Sequence, residues 1–241
     1  MNIAVIFAGG VGKRMKSTGM PKQFLKIDDV PIIVHTLQKF QESNDVGAIV
    51  VACVESHIEY MKDLVSQYNI TKVKNVVRGG KTGQESIYNA LKAAKKISET
   101  NEDIVLIHDG VRPIIDSDLI KRNIENVKKY GSAISSVAQK ETTILVDNEK
   151  KYIESVTPRD VTYIARAPQS FFLKEILENH EKARIEGKND YIDSASLMRH
   201  YGKNLTIVEC DSDNIKITTP DDYYIVKAIL EAKRSKEVLG V

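Results

Sequence analysis

Little in this sequence is in surplus. Basic and acidic side chains nearly cancel, 35 Lys and Arg against 33 Asp and Glu, for a formal net charge of +2. Such a balance gives no support to a nucleic-acid or membrane-surface partner. Long apolar runs are missing, and none approaches the roughly 20 residues of a membrane span. No charged, apolar and small-residue succession of a secretory leader opens the chain, so we expect none. Cysteine is limited to Cys53 and Cys210. They lack metal-ligand spacing and read as reduced thiols of a cytoplasmic protein. Low-complexity segments and internal repeats are absent too, which leaves no sign of a solenoid. The 241 residues are ample for a core and fit one α/β domain or two smaller ones.

What the sequence does have begins at its first residues. Ile3-Ala4-Val5-Ile6-Phe7 is a short apolar run that reads as a buried parallel strand. It leads into Ala8-Gly9-Gly10-Val11-Gly12-Lys13-Arg14-Met15, followed by Pro21-Lys22-Gln23-Phe24. Glycines without a Cβ let the backbone approach a ligand, and the N–H groups of such a loop can point at an anion. Lys13, Arg14 and Lys22 add cations, so the stretch suggests a polyphosphate site. It matches neither familiar phosphate loop. Met15 stands where the dinucleotide fingerprint needs its third glycine, and Phe7 and Arg14 break the P-loop pattern. The bland alternative is a tight turn with solvated charges.

Further along, strands and helices alternate. Expected strands are Gly47–Cys53, Val73–Val77, Asp103–Ile107 and Ala133–Ala138; the helices between them start near Pro31, Ile58, Ile87 and Asp116. This alternation implies a doubly wound, mostly parallel sheet, in which ligands bind beyond the carboxyl ends of the strands. Three segments fall at such ends: the first loop, the turn Gly79-Gly80-Lys81-Thr82-Gly83-Gln84-Glu85-Ser86, and His108-Asp109-Gly110-Val111-Arg112-Pro113. They should share one rim. From Gln139 to about Ala167 the pattern changes to a β-hairpin, either an ordinary surface hairpin or a dimerisation arm. Helices are then expected over Phe171–Ala183, from Asp193, whose carboxylate caps it, and from Thr219 through Ala232; a strand covers Leu205–Val208, and Asn214–Thr218 is extended.

The glycine loop, Pro21-Lys22-Gln23, Gly79-Gly80 with Ser86, His108-Asp109-x-x-Arg112-Pro113, Pro168-Gln169, Asp193-x-Ala195-Ser196 and Asn214-Ile215-Lys216-Ile217-Thr218 together resemble one family. It is that of the cytidylyltransferases acting on 2-C-methyl-D-erythritol 4-phosphate or D-ribitol 5-phosphate. The resemblance runs from Asn2 to the last helix. It implies a single Rossmann-like nucleotidyltransferase domain over residues 1–241, with a protruding β-arm at about 139–167 through which two copies form a homodimer. It implies CMP transfer from CTP to a polyol phosphate, with Mg²⁺ bound mainly through the CTP phosphates and no metal ligand assigned to a side chain.

The resemblance assigns residues as follows. Arg14, Lys22 and Lys216 stabilise the transition state. Ala8, Gly9, Gly10, Gly12, Lys13 and Lys81 serve the CTP phosphates, and Gly80 and Ser86 hold the cytosine. Asp109 binds a hydroxyl of the ribose or polyol. Arg112, Lys216 and, from the partner subunit, the arm's Arg159 take the polyol phosphate. Read without the family, the alternatives are a solvated strand residue for Lys216 and no more than a structural ion pair for Asp109 and Arg112, while His108 reads as a packed rim histidine; His35, His57, His180 and His200 receive no role. Two departures stand out: Gly83 where the family usually has arginine, and Ala167 where it has threonine. Gly9-Gly10, Gln23-Phe24-Leu25, Val111 and Ile217-Thr218-Thr219 resemble the ribitol branch, making CDP-ribitol the expected product for teichoic-acid or capsule-type polymers. Methylerythritol phosphate is the second choice, and a nucleotide-binding regulatory module without turnover the alternative of another class.

Overall fold

The computed structural model describes residues 1–9 and 20–239, the last four of these by backbone alone. Its centre is β1 (Asn2–Ala8), paired in parallel with β4 (Ala48–Cys53) on one side and β6 (Ile104–Asp109) on the other. Beyond β4 lies β5 (Val73–Arg78); beyond β6 lie β10 (Tyr163–Phe172), β7 (Ser132–Ala138) and β11 (Ile207–Glu209), giving the order β11-β7-β10-β6-β1-β4-β5. The chain builds outward from β1 in one direction and then returns to its other side. The carboxyl end of β1 is therefore the switch point of the sheet, where a ligand crevice is expected.

The apolar run of β1 is continuous because both of its faces are buried. Alternate residues go to opposite sides. Ala4, Ile6 and Ala8 join a core with Phe40, Met61 and Leu119, whereas Ile3 and Val5 join one with Leu91, Phe171 and Leu177. The first core is covered by α1 (Ile32–Glu42), α2 (Ile58–Gln67) and α4 (Ser117–Tyr130), the second by α3 (Gly83–Ile97), α5 (Leu173–Ile185) and α6 (Ser194–His200). Helix starts follow local chemistry: Thr82, Asp116 and Asp193 each accept a backbone N–H from three residues on. Asp222 accepts the N–H groups of Thr218 and Thr219 at 2.8 and 2.7 Å, opening α7 (Pro220–Leu239). That helix runs past the expected end at Ala232.

The largest correction concerns the stretch after β7. The self-paired hairpin is confined to β8 (Ile144–Val146) and β9 (Ile153–Val156). Tyr163–Phe172 is no part of it, nor do Phe171 and Phe172 start a helix. They form β10, the longest strand among the described residues, antiparallel to both β6 and β7. Pro168 hid it, since proline within a run argues against a central strand. The register shifts between Ala165 and Gln169, so the ladder is interrupted just where the proline lacks an N–H. A small hairpin of β2 (Lys26–Ile27) and β3 (Val30–Pro31) also went unread; its turn places Asp28 and Asp29 at φ 50° and 63°, where glycine is usual.

Candidate active site

Gly10, Gly12, Lys13 and Arg14 lie outside the described residues. Both flanks of their loop are fixed. On the return, Lys22–Phe24 forms a 3₁₀ turn in which Gln23 donates from Nε2 to the Ala8 carbonyl at 2.7 Å, and Phe24 is buried against the His57 ring. Lys22 Nζ donates to the Ile217 carbonyl at 2.8 Å. The loop therefore leaves and re-enters at the carboxyl end of β1, beside the segment that carries Lys216.

Gly9 packs against the second glycine turn. A Cβ on Gly9 would lie 2.6 Å from Ser86 Oγ, and one on Gly79 would lie 3.2 Å from the Gly9 Cα. Only glycine permits this approach of two backbones. The Ser86 hydroxyl accepts from Gly80 N and donates to the Thr82 carbonyl, both at 2.9 Å; the Glu85 carboxylate accepts from Lys81 N at 2.8 Å. Ser86 thus shapes the turn from within. Gly9, Gly79, Gly80, Lys81 and Arg78 line an open depression of about 640 Å³. The resemblance implies that CTP meets this turn; Gly9→Ala should then push the Ser86 hydroxyl from its two bonds and weaken CTP binding on the order of tenfold, since each net hydrogen bond contributes about 1 kcal/mol. Calorimetric titration with CTP checks this, and unchanged affinity would separate the turn from the nucleotide.

On the other side of β1, register brings the ion cluster together. Phe7 pairs with Asp109 across β1 and β6. Asp109 Oδ2 accepts from both Nε and Nη2 of Arg112 at 3.1 Å, and its Oδ1 meets Lys216 Nζ at 2.5 Å. Arg112 Nη1 also donates to the Asn214 carbonyl at 2.7 Å, and Asn214 Nδ2 to the Ala167 carbonyl at 3.1 Å. Ile217 is fully buried, with its N–H on the Val111 carbonyl at 2.9 Å. The apolar anchor at Ile217 and the polar contacts of Asn214 and Lys216 hold this segment over the crevice. Burial alone would raise the Asp109 pKa, but Arg112 and Lys216 outweigh it and hold the group at about 2. The carboxylate is thus a fixed negative charge that orients two cations. Asp109 and Arg112 form an ion pair, and Lys216 joins the same cluster.

His108 is fully buried, its Nε2 at 3.0 Å from the Arg112 carbonyl and its ring edge-on to Phe40. Burial lowers its pKa to about 4, so it is a neutral packing group, as the sequence suggests. Arg159 sits on an exposed 3₁₀ turn and donates to Thr142 Oγ1 at 3.0 Å. It does not line the cavity beside Asp109.

That cavity, about 300 Å³, runs from Phe7, Asp109, Arg112 and Lys216 to α5 and α6. Gly83 and Ala167, the two departures from the family pattern, both line it. So do Arg166, His180 and Ser194, to which the sequence assigned no role, and Gln169 of the Pro168-Gln169 motif. Gln169 bridges to α6, donating to Asp193 Oδ2 and accepting from Ala195 N, both at 2.9 Å. Nothing local marks Arg166 or His180. Only the antiparallel insertion of β10 brings them beside β6.

The sheet order and the helices on both of its faces make an α/β nucleotidyltransferase fold. The family model for 2-C-methyl-D-erythritol 4-phosphate cytidylyltransferase (IspD) matches residues 2–232. The chain belongs to this family and is an enzyme that transfers CMP from CTP. It is 50% identical over 241 residues, all of both chains, to a ribitol-5-phosphate cytidylyltransferase of Streptococcus agalactiae serotype Ia. It is 40% identical over 230 residues, covering 95% of this chain and 97% of the other, to a 2-C-methyl-D-erythritol 4-phosphate cytidylyltransferase of Clostridium botulinum. The crystal structure of 4-diphosphocytidyl-2C-methyl-D-erythritol synthase from Anaerococcus prevotii superposes with a TM-score of 0.81 at 25% identity, over 95% of this chain and 96% of that one.

Proposed function

We propose that this chain transfers CMP from CTP to D-ribitol 5-phosphate, giving CDP-ribitol and pyrophosphate. The observation that carries the acceptor is the 50% identity over the whole length to a relative named for ribitol 5-phosphate, against 40% to one named for methylerythritol phosphate. A phosphate oxygen of the acceptor attacks the α-phosphorus of CTP, and the bond to the β-phosphate bridging oxygen breaks in line. Such transfer depends on positioning and charge more than on covalent help. Arg14, Lys22 and Lys216 supply the charge around the α-phosphate, and the loop amides from Ala8 to Gly12, with Lys13 and Lys81, cradle the triphosphate. Gly80 and the turn held by Ser86 take the cytosine. Asp109 orients Lys216 and Arg112 and accepts from a substrate hydroxyl; Arg112 supports the acceptor phosphate.

The described residues offer no group of three His, Cys, Asp or Glu side chains placed to hold a metal. We assign Mg²⁺ mainly to the phosphates of CTP and to water, with which the ion commonly completes its octahedral shell in phosphoryl chemistry. The ion would neutralise charge on the triphosphate. No helix of the described residues is long and apolar enough to cross a membrane. We read the chain as one cytoplasmic catalytic domain supplying CDP-ribitol to a teichoic-acid or capsule-type polymer.

The β8–β9 hairpin supports a homodimer. Ile144, Leu145, Val146, Tyr152, Ile153 and Val156 are all exposed on it, an apolar stretch that a second copy would cover. In that assembly Arg159 reaches the acceptor phosphate of the partner site. Arg159→Ala should then raise the KM for the polyol phosphate about tenfold, by loss of one charge-assisted hydrogen bond, with little change for CTP. Equal loss of both substrates in steady-state assays would count against this placement.

The acceptor itself is tested by pyrophosphate release with CTP and a panel of polyol phosphates. Turnover with methylerythritol phosphate and none with ribitol phosphate would overturn the choice. CTP binding without turnover on any acceptor would return the chain to a regulatory role.

A further inference from the structure

The cavity beside Asp109 is chemically graded. Where it meets the ion cluster it is cationic, through Arg112, Lys216 and Arg166. Toward α5 and α6 it is lined by His180 and Ser194, which are only 1% and 2% exposed. Neither side chain has a hydrogen-bond partner: Ser194 Oγ, His180 Nδ1 and His180 Nε2 are all buried and unpaired. Buried polar atoms are normally paired, because leaving one unsatisfied is unfavourable. With Arg166 Nε and Tyr191 Oη, also buried and unpaired here, five such atoms line one cavity and call for a ligand that supplies the missing bonds. The Asp193 carboxylate, also at this end, is already engaged by Ser196 N and Gln169 Nε2.

We propose that His180 and Ser194 form a hydroxyl-recognition subsite for the carbon chain of the acceptor, and that glycine at position 83 keeps this subsite open. The ligand class is a phosphorylated polyol, with its phosphate at the cationic end and its hydroxyls at the neutral end. A hydroxyl both donates and accepts. Burial, with Arg184 nearby, lowers the His180 pKa to about 4, so its imidazole is neutral and presents one donor and one acceptor. The ring is held in place by stacking on Tyr88 of α3. Ser194 adds a rotatable hydroxyl at the start of α6. At Gly83 an added Cβ would meet nothing within 4 Å, so any larger side chain there has open space to enter. A site built to pair with substrate hydroxyls discriminates strongly against acceptors that lack them, since its own polar groups are then left unpaired.

This subsite rests on the polyol-phosphate reading of the acceptor, and its test separates the two. Wild-type enzyme is first assayed with CTP and the panel of polyol phosphates, and the variants then with the best acceptor. Ser194→Ala and His180→Leu should each raise the acceptor KM about tenfold, the equivalent of one lost hydrogen bond left unsatisfied, and leave the CTP KM within about twofold. His180→Gln, which keeps a donor and an acceptor, should recover part of the loss. Gly83→Arg should raise the acceptor KM by filling the space, with the melting temperature unchanged. Acceptor KM values at the wild-type level in all four variants would overturn the subsite. So would equal rises for CTP and acceptor, or a lower melting temperature with no change in acceptor KM, which would assign these residues to packing. A wild-type enzyme that prefers another polyol phosphate overturns ribitol as the acceptor, and the variants then test the subsite with that compound.

Discussion

Lys216→Ala is expected to lower kcat for pyrophosphate release by about a hundredfold or more, the usual consequence of removing one preorganised transition-state donor. The side chain is 38% exposed, and its Nζ touches Asp109 Oδ1 at 2.5 Å. An ammonium carries three donors, so the contact with Asp109 orients the group and leaves the others for phosphate oxygens. The orientation is set beforehand. Asp109 is itself clamped by two nitrogens of Arg112, and Ile217 ties the neighbouring backbone to Val111. Charge placed in advance need not reorganise as the α-phosphorus is attacked. Alanine keeps the backbone bonds of this segment and leaves Asp109 paired with Arg112, so the fold should persist while kcat falls. A variant with normal kcat would remove Lys216 from the chemistry.

Arg112→Ala should cost about 3–5 kcal/mol of folding stability, because it strips one partner from a buried pair and leaves the other uncompensated. The Arg112 and Asp109 side chains are 6% and 7% exposed. The arginine also joins β6 to the Asn214 segment through two further bonds, so its loss loosens the frame that presents Lys216. Denaturant unfolding measures the stability change, and a loss under about 1 kcal/mol would show that the pair is no anchor. The pH dependence follows from Asp109. Its folded pKa, about 2, lies below the unfolded value of about 3.9. The stability it contributes is fully present above pH about 4 and is lost as pH falls through about 2. Removing Arg112 takes away the largest counterweight to burial, so the Asp109 pKa rises and this part of the acid-side loss diminishes. An acid limb identical to wild type would contradict the linkage.

Much of the site was legible because it obeys local rules. Apolar runs of strand length, glycines at their carboxyl ends and capping aspartates placed the rim segments before any fold was known. The helices expected from Asp116, Asp193 and Thr219 each begin one residue later, since capping depends on residues within one turn. Pro168 misled for the opposite reason. Its missing N–H argues locally against a central strand, yet pairing on both sides keeps β10 in the sheet around the irregular register.

What the sequence determined by itself is therefore the alternating α/β plan, the glycine turns and the family to which their residues belong. Tertiary structure alone decided the rest: β1 at the centre, β10 running backward between β6 and β7, Gln23 closing on Ala8, and Lys216 reaching Asp109 across more than a hundred residues of chain. The cavity that joins Asp109 to His180 and Ser194 belongs to the same group. Periodicity and capping act over a few residues and can be read in order along a chain. Which distant strands pair, and which unpaired polar atoms then face one another, depends on how two apolar cores fill on opposite sides of one sheet, and no short stretch of sequence holds that information.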